Sequence, residues 1–223
     1  MTARVFLLSP ARLDGKRARM VLSPRAGGML ATRLRTREGV PIGEVFRFLS
    51  GLYFRGKLAY AQRFASPPEV ASPELDPAAW SPPDAARSWI GSGVLVMTAN
   101  RGLLPAETRV CHEHLEAFAE TDIHESTTAF VGPLRRDALA LRAALGDAGE
   151  VVLLGSIAKG KYTVPLLDVF ADRLLFPADF VGRGDMSRGA LLLRAVEAST
   201  ELAYARVKGA TVKGTRPPRL DRR

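Results

Sequence analysis

The chain has 223 residues, of which 47% are hydrophobic, so it can bury the core of one α/β domain but not of two large ones. Its one cysteine, Cys111, excludes a framework of disulfide bonds and favours the reducing cytoplasm. No apolar run approaches the ~20 residues of a membrane span, and Val5–Leu8 is too short for the core of a signal peptide. We therefore expect a cytoplasmic protein that does not act at a membrane.

The formal net charge of +9 is unevenly distributed along the chain. Residues 1–63 carry thirteen Lys and Arg residues against three acidic ones, and residues 208–223 carry six against one. Residues 64–207 carry thirteen basic residues against nineteen acidic ones. Such segregation can attract polyanions, so nucleic acid is one predicted partner. A solvated basic surface is the alternative, because counts of Lys and Arg predict only non-specific electrostatics.

Apolar runs typical of β-strands alternate with helical patterns along the chain. In order, the predicted elements are strand Val5–Leu8, helix Glu44–Phe64, strand Val94–Thr98, helix Val110–Ala119, helix Leu134–Leu145, strand Val151–Leu154, helix Val164–Phe170, strand Leu174–Phe176, helix Met186–Ala198 and strand Leu202–Val207. The first three strands are apolar throughout, as expected of strands that are covered on both faces. The alternation predicts an α/β fold: a three-layer open sheet, mainly parallel, with helices on both faces.

Two segments depart from this alternation. Segment 65–92 is rich in proline, which excludes a long helix or a central strand and predicts an insertion. The basic segment 208–223 lacks apolar periodicity and is predicted to be a disordered tail. We therefore expect a single α/β domain over residues 1–207, with an insertion at 65–92 and a tail after it.

Four polar loops follow predicted strands, and ligands of open α/β sheets bind beyond the carboxyl ends of the strands. These loops, 9–19, 99–103, 155–161 and 177–189, are expected to share one edge of the sheet. Most of their candidate ligand-binding residues are basic or glycine: Arg12, Lys16, Arg101, Gly155, Ser156, Gly160, Lys161, Arg183 and Arg188. The candidates for catalysis are Asn100 and two carboxylates that could act as a general base, Asp14 and Asp185. This composition indicates a site for an anion.

The third loop resembles a phosphate-binding P-loop in its spacing. Gly155, Gly160 and Lys161 stand at G-x-x-x-x-G-K after an apolar strand, but Tyr162 occupies the position at which a P-loop has Ser or Thr for Mg²⁺. Thr163 comes one position too late. The pattern favours a strand-to-helix turn whose backbone amides and lysine hold an anion over an ATP-hydrolysing loop.

Three histidines offer no pattern typical of a metal site. His112 and His114 lie two residues apart, so they would point in different directions on a helix, and zinc needs three or four convergent ligands. We predict no metal and no cofactor.

Three short stretches resemble a small uncharacterised bacterial family: LYFRGKLAYAQRFA (52–65), VLVMTANRGLLPAE (94–107) and EVVLLGSIAKGKYTVPLLDVF (150–170). In that family they read as "LF…RAYAE", "S-A-K-H-G-L" and "EVVLLGG…KYVEPL". The family is similar to the glycosylase-like domain of archaeosine synthase and, remotely, to uracil-DNA glycosylases. The resemblance implies a uracil-DNA-glycosylase-like or Rossmann-like fold and a ligand of nucleobase or nucleotide size.

The resemblance does not extend to the catalytic motifs. Arg101 stands where the family has His, and the loop SPARLDG, with Asp14, replaces the water-activating G-Q-D-P-Y of uracil-DNA glycosylases. No H-P-S-P-like loop is present.

Three functional hypotheses follow from these patterns. The first is a cytoplasmic protein that binds a nucleobase, a nucleotide or a nucleic-acid phosphate, with glycosylase-like activity as a possible reaction. The second is a non-catalytic accessory protein that binds nucleic acid through its basic first third and tail. The third is an enzyme that hydrolyses nucleotides, as P-loop proteins do.

Overall fold

The computed structural model describes residues 2–68, 91, 93–211, 214–215 and 217–218. Its strands are β1 (Arg4–Leu8), β2 (Val40–Pro41), β3 (Val94–Met97), β4 (Leu103–Pro105), β5 (Arg109–Val110), β6 (Glu150–Leu154), β7 (Leu174–Pro177) and β8 (Tyr204–Arg206). Its helices are α1 (Lys16–Leu22), α2 (Met29–Leu34), α3 (Ile42–Ser50), α4 (Leu52–Phe64), α5 (His112–Glu120), α6 (Thr128–Leu145), α7 (Gly160–Phe170) and α8 (Asp185–Glu197).

Six of the strands form one sheet in the order β4-β3-β1-β6-β7-β8. β3, β1, β6 and β7 are parallel, and the edge strands β4 and β8 are antiparallel to their neighbours. In the centre, Phe6 is in register with Val94 on β3 and with Val152 on β6, and all three are buried. The predicted α/β fold with a mainly parallel sheet is confirmed.

The helices lie in two layers because the crossovers run in opposite directions along the sheet. The chain moves from β1 to β3 on one side and from β6 to β7 on the other, and right-handed crossovers then place their helices on opposite faces. α4 packs against α8, and α6 packs against α7. The arrangement is consistent with the predicted three layers.

The crossing of α4 and α8 depends on two glycines. A Cβ atom at Gly56 would lie 2.6 Å from the carbonyl oxygen of Gly189, and one at Gly189 would lie 2.8 Å from that of Leu52. The backbones of the two helices therefore approach too closely for larger residues. This contact fixes the helix that carries Tyr53 and Lys57.

Several predicted boundaries were wrong. The expected helix Glu44–Phe64 is two helices, α3 and α4, because Gly51 between them has φ +60°, which a helix cannot accommodate. α1 and α2 form within the Arg-rich stretch that the sequence pattern left without structure. The predicted loop 99–103 ends in β4, and the loop 9–19 runs into α1.

Two predicted segments lie largely outside the described residues. Of the insertion 65–92, residues 69–90 and 92 are not described, and Ser66 pairs with Arg4 in an antiparallel bridge at its start. Of the tail 208–223, residues 212–213, 216 and 219–223 are not described. Within the described part of the chain, no helix combines the length and the apolar character that a membrane crossing requires.

Candidate functional site

The carboxyl ends of the four parallel strands lie at one edge of the sheet, which confirms that the loops after them share an edge. The chain leaves β1 toward β3 and leaves β6 toward β7, so its direction along the sheet reverses between β1 and β6. Open α/β sheets bind their ligands outside such a reversal point. The loops after β1 and β6 are therefore the expected walls of a site.

A cavity of about 690 Å³ opens at this point. We call it the switch-point cavity. Its walls come from the loops after β1 and β6, from α1, α3, α4 and α7, and from the first residue of α8. Six basic residues line it: Arg12, Lys16, Arg17, Lys57, Lys159 and Lys161. Asp185 is the single acidic residue among its described lining. The cavity therefore carries a strong excess of positive charge.

Lys57 is the most buried of these cations. It is 1% exposed, and its Nζ donates hydrogen bonds to the carbonyl oxygen of Ser9 at 2.6 Å and to the Ser9 hydroxyl at 2.9 Å. The same Nζ lies 4.5 Å from the ring centre of Tyr53 and 4.8 Å from that of Phe54. Burial lowers the pKa of Lys57 to about 7, and the charge of Asp185 opposes this only in part. At neutral pH, the side chain is thus partly an uncharged amine.

Tyr53 lines the cavity one helical turn before Lys57. Tyr53 is 6% exposed, and its hydroxyl makes no hydrogen bond of good geometry to the residues that the structure describes, although the Arg188 side chain lies near enough to act on it. Burial raises the pKa of Tyr53 to about 12, against the smaller opposing effect of nearby Arg188. An unsatisfied hydroxyl in the wall of a cavity is available to a ligand.

The loop after β6 brings its residues to the cavity through a close contact between strands. A Cβ atom at Gly155 would lie 3.0 Å from the Ser9 Cβ, so a larger side chain there would press on Ser9. Ser156, which accepts a hydrogen bond from the Ala158 amide at 3.3 Å, lines the cavity. α7 then begins at Gly160, so this stretch is the strand-to-helix turn that its sequence predicts.

Lys161 lies in the first turn of α7 and lines the cavity. Its pKa is lowered, first by burial and then by the neighbouring charges of Lys159 and Arg12, while Asp122 opposes this effect. A bound anion would offset the mutual repulsion of these positive charges. The next residue, Tyr162, is 6% exposed, and burial raises its pKa far above the usual range.

The turn lacks the hydroxyl geometry of a P-loop. The Tyr162 ring occupies the position at which a P-loop has its Mg²⁺-binding hydroxyl, and this ring packs edge-on against Phe130 in the core. The Thr163 hydroxyl donates to the Lys159 carbonyl oxygen at 3.4 Å, within the helix. These placements favour an anion-binding turn over a nucleotide–magnesium loop.

Five of the predicted site residues line the switch-point cavity: Arg12, Lys16, Ser156, Lys161 and Asp185. Gly155 lies directly behind this lining. Gly160 starts α7, and a Cβ atom there would meet Glu125 at 3.2 Å, away from the cavity lining.

Three predicted residues lie elsewhere. Asp14 is 66% exposed and forms an ion pair with Arg12 at 2.6 Å, which lowers the pKa of its carboxyl group, and it does not line the cavity. Asn100 donates to the Ala117 carbonyl oxygen at 2.9 Å and to the Thr121 hydroxyl at 3.1 Å, so it ties the loop after β3 to α5. Arg101 is half-buried in the same loop, where burial lowers its pKa. β3 lies on the far side of β1 from β6, so its loop does not reach the cavity.

The two predicted arginines that follow β7 form hydrogen bonds within their own segment of the chain. Arg183 donates to the Asp179 carbonyl oxygen at 3.1 Å and to the Ser187 hydroxyl at 3.2 Å. Arg188 donates to the Phe180 carbonyl oxygen at 3.0 Å and stacks over the Phe180 ring. Neither is in the lining of the cavity, although Arg188 acts on Tyr53 electrostatically.

Seven polar or charged residues of the described lining were not among the predicted site residues: Ser9, Arg17, Ser50, Tyr53, Lys57, Lys159 and Tyr162. The signal for Lys57 was present, because it falls on the apolar stripe that Phe54, Leu58 and Ala61 form along α4. A lysine on a buried stripe is either paired in the core or directed into a site.

A second groove of about 890 Å³ adjoins the cavity and shares Arg17 with it. We call it the arginine groove. Its arginines are Arg17, Arg33, Arg47 and Arg55, and its exposed apolar residues are Met20, Met29 and Phe48. Arg33 forms an ion pair with Glu44 at 2.5 Å, which neutralises one of the four charges. The groove combines positive charge with apolar and aromatic surface.

No known protein family, curated protein or solved structure matches the chain. The resemblance to glycosylase-like proteins therefore stays a prediction.

Proposed function

We propose that the protein binds a phosphate-bearing ligand of nucleotide size in the switch-point cavity. The observation that carries this proposal is the charge of the cavity: its described lining holds six basic residues and one carboxylate in a space of about 690 Å³. Positive charge stays in excess although Arg12 is paired with Asp14 and Lys57 is partly uncharged. That volume falls within the range of small-molecule sites, which is roughly 300–1,000 Å³. A phosphate group is the biological anion that best matches several converging cations.

The cavity also offers groups that a nucleobase or a nucleoside could use. The Tyr53 hydroxyl is buried without a partner among the described residues, and the Ser156 and Asp185 side chains supply further polar atoms. Lys161 and Lys159 lie at the start of α7, where the backbone amides and the helix dipole also favour an anion. The phosphate would lie at this end, with the remainder of the ligand toward α4.

Glycosylase-like catalysis, a hypothesis that the family resemblance does not itself carry, would depend on one carboxylate of the cavity. Asp185 is that residue, because Asp14 lies outside the lining and is held by Arg12. The corresponding reaction is activation of water by Asp185 and release of a free base. Chromatographic detection of free bases from nucleotides and from nucleic acid tests this activity, and Asp185→Asn should abolish it.

Binding is tested by isothermal titration with a nucleoside 5′-monophosphate and with inorganic phosphate. Lys161→Met removes a charge-assisted contact worth roughly 1.5–3 kcal/mol, so the affinity should fall about ten- to a hundredfold. Lys208→Met is the matched control, because Lys208 pairs with Asp172 away from the cavity, and its affinity should equal that of the wild type.

The same titration distinguishes the anion-binding turn from a P-loop. Thr163→Ala should have little effect, because its hydroxyl is bonded within α7, and binding should persist in EDTA. Equal affinities for the wild type and Lys161→Met would show that Lys161 does not bind the phosphate and that the loop after β6 is an ordinary turn. Loss of binding both in EDTA and in Thr163→Ala would instead support the nucleotide-hydrolysing alternative.

The arginine groove favours a second candidate function, the binding of single-stranded nucleic acid. Phe48 is 37% exposed beside arginines that could follow a phosphate backbone, and bases stack readily on exposed aromatic rings. Arg17 connects the groove to the cavity, so one strand could pass from one to the other. Affinity for a short single strand that falls steeply with salt, without turnover, would support this candidate. The cytoplasm is the proposed location for both functions.

A further inference from the structure

Ser9 and Lys57 meet in the wall of the switch-point cavity. Ser9 directly follows β1; its hydroxyl accepts a hydrogen bond from the Lys57 Nζ at 2.9 Å and donates one to the Leu154 carbonyl oxygen at 3.3 Å. Ser9 is 6% exposed and Lys57 is 1% exposed, yet both belong to the cavity lining. The serine therefore lies nearer to a ligand, and the lysine lies behind it.

The surroundings of Lys57 differ from those of a lysine that only fills a core. Buried lysines are ordinarily paired with a carboxylate, whereas the Lys57 amine donates its hydrogen bonds to the carbonyl oxygen and the hydroxyl of Ser9. Its amine lies over the faces of Tyr53 and Phe54, which attract a cation, but its nearly complete burial disfavours the charged form and outweighs this attraction. Once deprotonated, the Lys57 amine has a lone pair 2.9 Å from the Ser9 oxygen, so rotation of the Ser9 O–H from the Leu154 carbonyl oxygen toward that lone pair gives a general base beside its nucleophile.

We propose that Ser9 and Lys57 form a nucleophile–base pair that transfers a phosphoryl group from a bound phosphate ester to the Ser9 hydroxyl and then to water. The proposal rests on the proposed function, because it takes the phosphate group to be held by the cations of the cavity. It goes beyond that function by assigning a reaction and a substrate class, the phosphate esters.

The reaction balances with water as the only co-reactant. The Ser9 Oγ attacks phosphorus, its proton passes to the Lys57 amine, and the bond from phosphorus to the leaving oxygen breaks. The resulting Lys57 ammonium returns that proton to the leaving oxygen, which departs as an alcohol. Water then attacks the phosphoserine, Lys57 takes a proton from the water, and this proton restores the Ser9 hydroxyl as inorganic phosphate leaves.

The cations of the cavity suit phosphoryl transfer. Negative charge is spread over the oxygens of the transferring phosphoryl group, and Lys and Arg side chains stabilise it most effectively where water is excluded. Lys161, which lines the same cavity as Ser9, is placed for this role. Other titratable side chains of the described lining share the cavity with Lys57. They are Tyr53, Tyr162, Asp185, Arg12, Lys16, Arg17 and Lys159.

Covalent labelling by a fluorophosphonate tests the pair directly. Such a reagent carries an electrophilic phosphorus atom, so an activated serine displaces fluoride and retains the phosphorus group. Peptide mass spectrometry should place the label on Ser9, and excess inorganic phosphate should protect it. Ser126→Ala is the control, because the Ser126 hydroxyl lies beside His124, outside the cavity lining, and this variant should be labelled at the wild-type rate.

The role of Lys57 is tested by the rate of labelling. Lys57→Met keeps the volume of the side chain and should slow labelling about a hundred- to ten-thousandfold, which is the usual contribution of a general base. In the wild type, the rate should rise about tenfold per pH unit below pH 7 and level off above it, as Lys57 loses its proton. This pH profile needs no variant, so it remains decisive if Lys57→Met does not fold.

The outcomes separate this proposal from the proposed function. Phosphate binding by titration without any label on Ser9, or a label that forms equally fast in Lys57→Met, overturns the nucleophile–base pair alone. Labelling that phosphate does not slow overturns the phosphate ester as the substrate class. Absence of phosphate binding contradicts the proposed function, whatever the labelling shows.

Discussion

Replacing Lys57 by methionine should change the stability of the protein by an amount that depends strongly on pH. The substitution keeps a long unbranched side chain in a fully buried position and removes its amine. In the wild type, burial lowers the pKa of Lys57 from 10.5 to about 7. Below pH 7 the folded and unfolded chains both hold the proton, so the full free-energy cost of burying the charge destabilises the folded protein. Between pH 7 and pH 10.5 only the unfolded chain holds it.

The size of the effect follows from these two values. Burying the charged lysine costs about 4 kcal/mol at pH 7 and about 1 kcal/mol at pH 10, so the wild type gains stability as pH rises. Lys57→Met lacks this cost but leaves the Ser9 carbonyl oxygen without its donor, which costs about 1–3 kcal/mol at every pH. The variant should therefore be the more stable protein at pH 7 and lose that advantage by pH 10.

The assay is chemical denaturation of both proteins at pH 7, 8, 9 and 10, followed by circular dichroism. The difference between their free energies of unfolding should change by about 3 kcal/mol over this range. Surface groups titrate alike in both proteins and cancel in the difference. Lys208→Met, in which a largely exposed lysine is removed, should show no comparable change. A constant difference between Lys57→Met and wild type from pH 7 to pH 10 would refute the reasoning, because Lys57 would then be charged in the folded protein throughout.

Two further substitutions test the surroundings of the site. Gly56→Ala should destabilise the protein by about 1–3 kcal/mol in urea denaturation, because the new Cβ would lie 2.6 Å from a backbone oxygen of α8. Gly132→Ala is its control, since open space surrounds that helical glycine, and it should be neutral or slightly stabilising; equal effects of the two would contradict the close helix crossing. Tyr53→Phe should raise the stability by about 1 kcal/mol while weakening the binding of a nucleoside 5′-monophosphate, because the hydroxyl has no partner among the described residues. A loss of stability in Tyr53→Phe would show that the hydroxyl is already bonded in the free protein.

Much of the fold could be predicted because its strands are buried on both faces. Val5–Leu8 and Val151–Leu154 are apolar at every position, and the structure places both in the centre of the sheet. The helix boundaries were harder, because one glycine with positive φ divides α3 from α4. A sequence does not reveal which glycine adopts that conformation. The antiparallel pairing of β4 with β3 was also not predicted, because nothing in three residues indicates a direction.

The candidate site, too, was predictable from the sequence in part. The chain order of strands and loops by itself indicated the edge at which Arg12, Lys16 and Lys161 would gather, since the carboxyl ends of parallel strands meet. The chain order could not exclude Asn100 from the site. The loop after β3 is separated from the cavity by the order of the strands in the sheet, which the order along the chain does not reveal.

The sequence by itself determined the α/β class, the mainly parallel sheet and the basic character of the loops at its carboxyl edge. These properties depend on local apolar periodicity and on residue type. Only the tertiary structure decided that Ser9 and Lys57, 48 positions apart, would lie within hydrogen-bonding distance. The physical reason is that burial depends on how the elements pack against each other, which local sequence does not encode. The close crossing of α4 with α8 and the packing of α4 against β1 remove the lysine amine from water.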